Sequence, residues 1–147
     1  HPRFSKSRKT YEYRILNARF RNPTRRLDTY FYHYPLDTEK MSEAAKYLIG
    51  EHDFASFCGN PKMKKSTVRE IYSIDISLKG SYLNMTFHGS GFLQYMVRIL
   101  SGTLLEVGFG KREADSMQEL LEAKNRSLAG ATAPAKGLSL LKVHYAN

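Results

Sequence analysis

The sequence predicts an α+β domain, a mixed or antiparallel sheet flanked by helices. Three observations carry that expectation. Residues 9–20, 68–78, 82–87 and 138–145 alternate or concentrate apolar side chains in short runs, as strands with one buried face do. Leu93, Met96, Val97, Leu100, Leu104 and Val107 recur at intervals of three and four, the spacing of an apolar stripe on one helix. The resulting order is strand, helix, strand, strand, helix, helix, strand, which suits helices packed on a sheet.

Taken in order, Tyr11, Tyr13 and Ile15 share the buried face of the first strand, and Ser5-Lys6-Ser7-Arg8-Lys9 forms a basic approach to it. Arg19 to Arg26, interrupted by Asn22-Pro23, reads as an exposed loop with four arginines. Charge alone does not separate a solvated loop from one that touches phosphate. Tyr30-Phe31-Tyr32-His33-Tyr34 is an aromatic connector whose rings could stack on bases, with the core as the favoured place for them. Asp37 is placed to cap the first helix, Met41, Ala44, Ala45, Leu48 and Ile49 form its apolar stripe, and Gly50 stops it.

A loop from Cys58 to Thr67 carrying Lys62, Lys64 and Lys65 follows. Val68 to Leu78 and Tyr82 to Phe87 are then two strands joined as a hairpin through Lys79-Gly80-Ser81. Gly89-Ser90-Gly91 suits a strand-to-helix turn before the central helix, and Gly108 is expected to end that helix. Arg98 sits among its apolar residues, where a guanidinium is costly to bury without an anionic partner, either protein carboxylate or phosphate. Ala114, Met117, Leu120, Leu121 and Lys124 mark a short amphipathic helix, and Ala129 to Gly137 is small and turn-rich before the last strand.

At 147 residues and 41% hydrophobic the chain is sized for a single domain spanning 1–147. Lys and Arg number 23 against 14 Asp and Glu, a formal charge of +9, which favours a polyanionic partner through counterion release. Cys58 stands alone, so no intramolecular disulfide or Cys-rich metal site can form within the chain. No apolar run approaches the roughly 18 residues of a membrane helix, and His1-Pro2-Arg3-Phe4 is no signal-peptide core, so a soluble protein without a membrane partner is expected. The lack of an initiator Met suggests a processed chain, an excised domain or a fragment.

Catalytic motifs are mostly missing. There is no Gly-rich phosphate loop ending in Lys-Ser/Thr and no zinc-binding helix with paired histidines. His33, His52, His88 and His144 are scattered without ligand spacing, so no metal site is expected. Asp53 after His52 reads as a turn or cap carboxylate, and Ser90 lacks the spacing of a nucleophile elbow.

Five segments in order nonetheless resemble the C-terminal part of the tRNA pseudouridine synthase A family. They are Arg3-Phe4-Ser5 with Lys9-Thr10-Tyr11-Glu12-Tyr13; Gly50 to Phe57; Gly91-Phe92-Leu93 with Met96-Val97-Arg98 and Gly102; Glu106-Val107-Gly108; and Ala131 to Ala135 with Gly137-Leu138. The resemblance implies the C-terminal half of a pseudouridine synthase fold. It implies an isomerase that converts uridine to pseudouridine in the anticodon stem-loop of tRNA, at positions 38 to 40, without a cofactor, as a cytoplasmic homodimer. By motif position, Tyr11 resembles the tyrosine that stacks on the target base, Leu138 the apolar residue across that pocket, and Arg98 the arginine that pairs with the catalytic Asp. That Asp belongs to an Arg-Thr-Asp-x-Gly motif absent here, so the nucleophile is expected upstream and the chain alone is expected to be inactive. Gln94-Tyr95 and Ile99-Leu100 depart from the more polar residues common in relatives. A non-catalytic basic RNA-binding module is the alternative, and a basic structural protein has only charge behind it. The synthase reading requires Tyr11, Arg98 and Leu138 to converge on one pocket.

Overall fold

The computed structural model describes residues 7–25 and 28–145. Arg3-Phe4-Ser5, Lys6 and Arg26 lie outside the described residues. Six strands form one sheet: β1 (Ser7–Leu16), β2 (Tyr30–Phe31), β3 (Gly50–Asp53), β4 (Val68–Lys79), β5 (Tyr82–Gly89) and β6 (Leu138–Tyr145). Three α-helices accompany it: α1 (Thr38–Leu48), α2 (Met96–Phe109) and α3 (Ser116–Ala123). The order across the sheet is β2-β1-β5-β4-β3, with β6 paired to β1 beside β2. β1 pairs antiparallel with both β5 and β6 and parallel with β2, so the sheet is mixed as expected.

Alternation in β1 decides which residues reach the core. Tyr13 and Ile15 are fully buried and Tyr11 packs at the edge of the same cluster. Across the sheet Leu83, Met85 and Phe87 of β5 and Ile71 of β4 join them, and α1 and α2 close the layer with Met41, Leu48, Met96, Ile99, Leu100 and Leu104. On the other face polar residues alternate in register. Thr10 hydrogen-bonds the His88 ring at 2.8 Å, and that ring lies 5.2 Å from Tyr72.

Several boundaries differ from the sequence reading. Asp37 caps α1 by accepting from the Lys40 N–H, but Ile49 is the C-terminal cap and is exposed rather than part of the stripe. Gly50, at φ +104°, starts β3, an element too short for periodicity to find, as is β2. α2 starts at Met96, so Leu93 is buried in the preceding turn rather than on the helix. Gly108 does not end α2. It lies within the helix where a Cβ would come within 2.6 Å of Met41 Sδ, so it serves close packing against α1. The stop is Gly110, at φ +93°, whose N–H returns to the Val107 carbonyl.

The aromatic connector is only partly core. Tyr30 and Tyr32 pack against the cluster, while His33 and Tyr34 are exposed along a run of ring contacts that ends at Phe109. The Gly50 to Phe57 segment has a mechanical explanation. Asp53 accepts from the Ala55 N–H and the Thr67 hydroxyl, and buried Ser56 bridges the Leu120 carbonyl and the Asn125 N–H, tying β3 to the end of α3. Asp53 is therefore a turn carboxylate, and Cys58 is a buried residue beside that turn, as expected. Among the described residues no helix is long and apolar enough to cross a membrane.

Candidate active site

The segment from Ala129 to Gly137 has no regular structure of its own beyond a 3-10 turn at Ala135–Gly137, so its backbone groups must find partners elsewhere. It finds them on α2 and β1. The Gly130 N–H donates to Thr103 Oγ1 at 2.9 Å, the Ala133 N–H donates to the Arg98 carbonyl at 3.0 Å, and the Tyr13 hydroxyl donates to the Pro134 carbonyl at 2.7 Å. Burial pushes the Tyr13 phenol above its ordinary pKa, Tyr30 adds to this and Arg98 opposes it, so Tyr13 stays a neutral donor. Gly102 and Gly137 permit the close approach. A Cβ on Gly102 would strike the Ala131 carbonyl oxygen, and one on Gly137 would come within 2.7 Å of the Tyr13 ring.

This strap leads directly into Leu138 and closes a pocket of about 220 Å³. Tyr11, Arg98 and Leu138 all line it, together with Phe92, Tyr95 and Ala135. The three residues that the resemblance singled out, from the first strand, the central helix and the last strand, thus meet. The volume is below that of sites for drug-sized ligands, roughly 300 Å³ and more, and suits one small planar group.

Each wall has a stated support. The Tyr11 ring meets Phe92 edge to face, 5.4 Å between centroids at 90°. Arg98 Nε donates to the Ala133 carbonyl at 2.7 Å, and its guanidinium carbon lies 5.2 Å from the centre of the Tyr95 ring. The partner of Arg98 is therefore a backbone carbonyl and a ring face. Among the described residues no carboxylate pairs with it, and no acidic residue lines the pocket. Asp37 and Asp53, two of the aspartates in the chain, are occupied as a helix cap and a turn carboxylate.

Phe92 and Tyr95 are pocket residues that sequence reasoning did not single out. Phe92 was visible only as part of a motif, and Tyr95 only as a departure from it. Their shared signal is position, two aromatics in the short connection between a strand and a buried helix.

A family model described as tRNA pseudouridine synthase matches residues 44–146. The chain belongs to the tRNA pseudouridine synthase family. It is 46% identical over 147 residues to the tRNA pseudouridine synthase A of Bacillus licheniformis, covering 100% of this chain and 60% of that protein. It is 44% identical over 145 residues to that of a Thermoanaerobacter species, covering 99% and 59%, and 44% identical over 147 residues to that of Bacillus subtilis, covering 100% and 60%. The chain thus spans about 60% of the length of the curated relatives it matches. Its pocket is lined by aromatic rings, an apolar wall and the Arg98 cation, and among the described residues no carboxylate lines it.

Proposed function

We propose that the protein carrying this chain is a tRNA pseudouridine synthase acting on uridine in the anticodon stem-loop, at positions 38 to 40. In this reading the chain supplies the pocket for the flipped base and the nucleophilic Asp comes from a segment upstream of it. The observation that carries the reading is the single pocket lined by Tyr11, Arg98 and Leu138 and by no carboxylate.

The division of labour follows from residue chemistry. Flipping a base out of its stack costs a few kcal/mol, which stacking on the Tyr11 ring and contact with Leu138 offset. Phe92 holds the Tyr11 ring edge-on and so keeps that stacking face presented. Arg98 spends Nε on Ala133, which orients the plane of the guanidinium and leaves its terminal nitrogens for an incoming carboxylate. An aspartate held there stays ionised. The bond from ribose C1′ to uracil N1 breaks, the uracil turns within the pocket, and C1′ bonds to C5. The proton on C5 leaves to solvent and N1 gains one, so the reaction is an isomerisation that needs no cofactor. The same reading makes the enzyme cytoplasmic and homodimeric.

The test is tritium release from C5-labelled uridine in tRNA by the whole protein. Release at the anticodon stem-loop is expected, and none from a folded protein containing the upstream Asp overturns the reading in favour of a non-catalytic RNA-binding module. Tyr11→Ala is expected to reduce turnover far more than tRNA affinity, and an equal loss of both removes the stacking role.

A further inference from the structure

The arginine loop left undecided by its charge lies beside a second recess. This one, of about 180 Å³, is lined by Arg21, Asn22, Pro23, Phe31 and Lys136 among others, and by no acidic residue. The Arg21 guanidinium carbon sits 4.8 Å from the centre of the Phe31 ring. Next to it Phe20 is 77% exposed, the most exposed large hydrophobic of the described residues, and the Arg19 guanidinium carbon lies 5.9 Å from its ring. Two guanidinium-on-ring pairs, one within the exposed loop and one from the loop to Phe31 of β2, present flat cationic faces and the exposed Phe20 ring, the kind of surface on which unpaired bases stack. Among the described residues neither Arg21 nor Lys136 forms an ion pair with a carboxylate, so both charges are free for phosphate.

The second recess also adjoins the first. Lys136 lies in the Ala135–Gly137 turn, and Ala135 and Leu138 on either side of it line the Tyr11 pocket. The turn is a wall common to both.

We propose that this recess is a second nucleotide subsite, in which a nucleotide flanking the target stacks on the outer face of the Arg21 guanidinium, backed by the Phe31 ring, while Arg21 and Lys136 contact its flanking phosphates. The proposal rests on the synthase reading for the identity of the RNA, but its own evidence is the recess. Commitment to RNA over a protein partner follows from charge, because the lining holds two cations and no anion.

The experiment uses the whole protein with Arg21→Gln and Lys136→Gln combined, and separately Phe20→Ser. All three side chains are exposed, so the thermal midpoint should stay at the wild-type value. For the double variant the tRNA Kd is expected to rise about tenfold or more, as loss of charge-assisted contacts does. The slope of log Kd against log salt should fall by about one to two, the loss of one phosphate contact from each of the two cations. For Phe20→Ser, Kd should rise with the slope unchanged. An anticodon stem-loop trimmed of the nucleotides flanking the target should bind wild type and double variant alike. Wild-type Kd and slope in the double variant, or the same loss with the trimmed RNA, overturns the subsite. Concentration-dependent dimer loss in the double variant, with tRNA affinity unchanged, overturns it in favour of a contact between copies. These binding measurements stand apart from tritium release by the wild type, so failure of the synthase reading is seen separately.

Discussion

Tyr95 holds the least comfortable backbone in the pocket. Its φ of 60° and ψ of 8° lie in the left-handed region, which costs a bulky residue about 1 kcal/mol or more and persists only where the surroundings enforce it. Two contacts enforce it here. The ring packs directly on Gly59, where any Cβ would collide with it, and the Gly59 N–H donates to the Gln94 carbonyl at 2.8 Å. The ring then underlies the Arg98 guanidinium. Asn tolerates left-handed backbone better than Tyr but has no ring face. Tyr95→Asn is therefore expected to leave the thermal midpoint unchanged or slightly raised while lowering turnover by the whole protein several-fold. Tyr95→Phe should keep both near wild type, and a Tyr95→Asn protein with full turnover removes the ring from the account of Arg98. The need for a partner for Arg98 was legible in the sequence. Its identity was not, because the Ala133 carbonyl is 35 positions away and a backbone acceptor leaves no side-chain signature.

Among elements, α2 does the positioning, and its small residues show how. Thr103 and Gly102 face the Ala129 to Gly137 strap, the hydroxyl by hydrogen bond and the glycine by absence of a Cβ. Gly102→Ala forces the Ala131 carbonyl away, and the two Ala133 bonds to Arg98 lie just beyond it. Overpacking of this kind costs about 1–3 kcal/mol. The midpoint of thermal unfolding should fall by several degrees and tRNA isomerisation should fall with it, whereas Gly110→Asn, at an open left-handed cap, should cost far less. Calorimetry on the two variants checks the contrast. The helix itself was plain from its three-and-four spacing, but spacing does not tell a glycine that ends a helix from one that lets two helices touch, which is why Gly108 rather than Gly110 reads as the stop. β2 and β3, with 2 and 4 residues, were below the length at which alternation means anything.

At the scale of the molecule, β6 is the edge of the sheet beside β1. Leu140 and Leu141 are 52% and 49% exposed, and among the described residues β6 pairs only with β1. An apolar edge with unpaired backbone groups is a template for association. Produced as these 147 residues alone, the chain should self-associate with rising concentration, and Leu141→Lys should shift it toward the monomer in light scattering behind size exclusion. No shift would mean that association runs through another surface. Why the whole pocket could not be read from composition or periodicity is equally a matter of scale. β1 and β6 looked like ordinary strands, and only the family resemblance tied Tyr11 to Leu138.

The bond from the Tyr13 hydroxyl to the Pro134 carbonyl joins residues 121 positions apart. Closing so long a loop must precede any reward from the contacts it makes, which slows such topologies. On the ribosome the first strand of this chain therefore waits, with one flank open, until β6 has been made. A product that stops before Ala135 lacks two of the residues that line the Tyr11 pocket, Ala135 and Leu138.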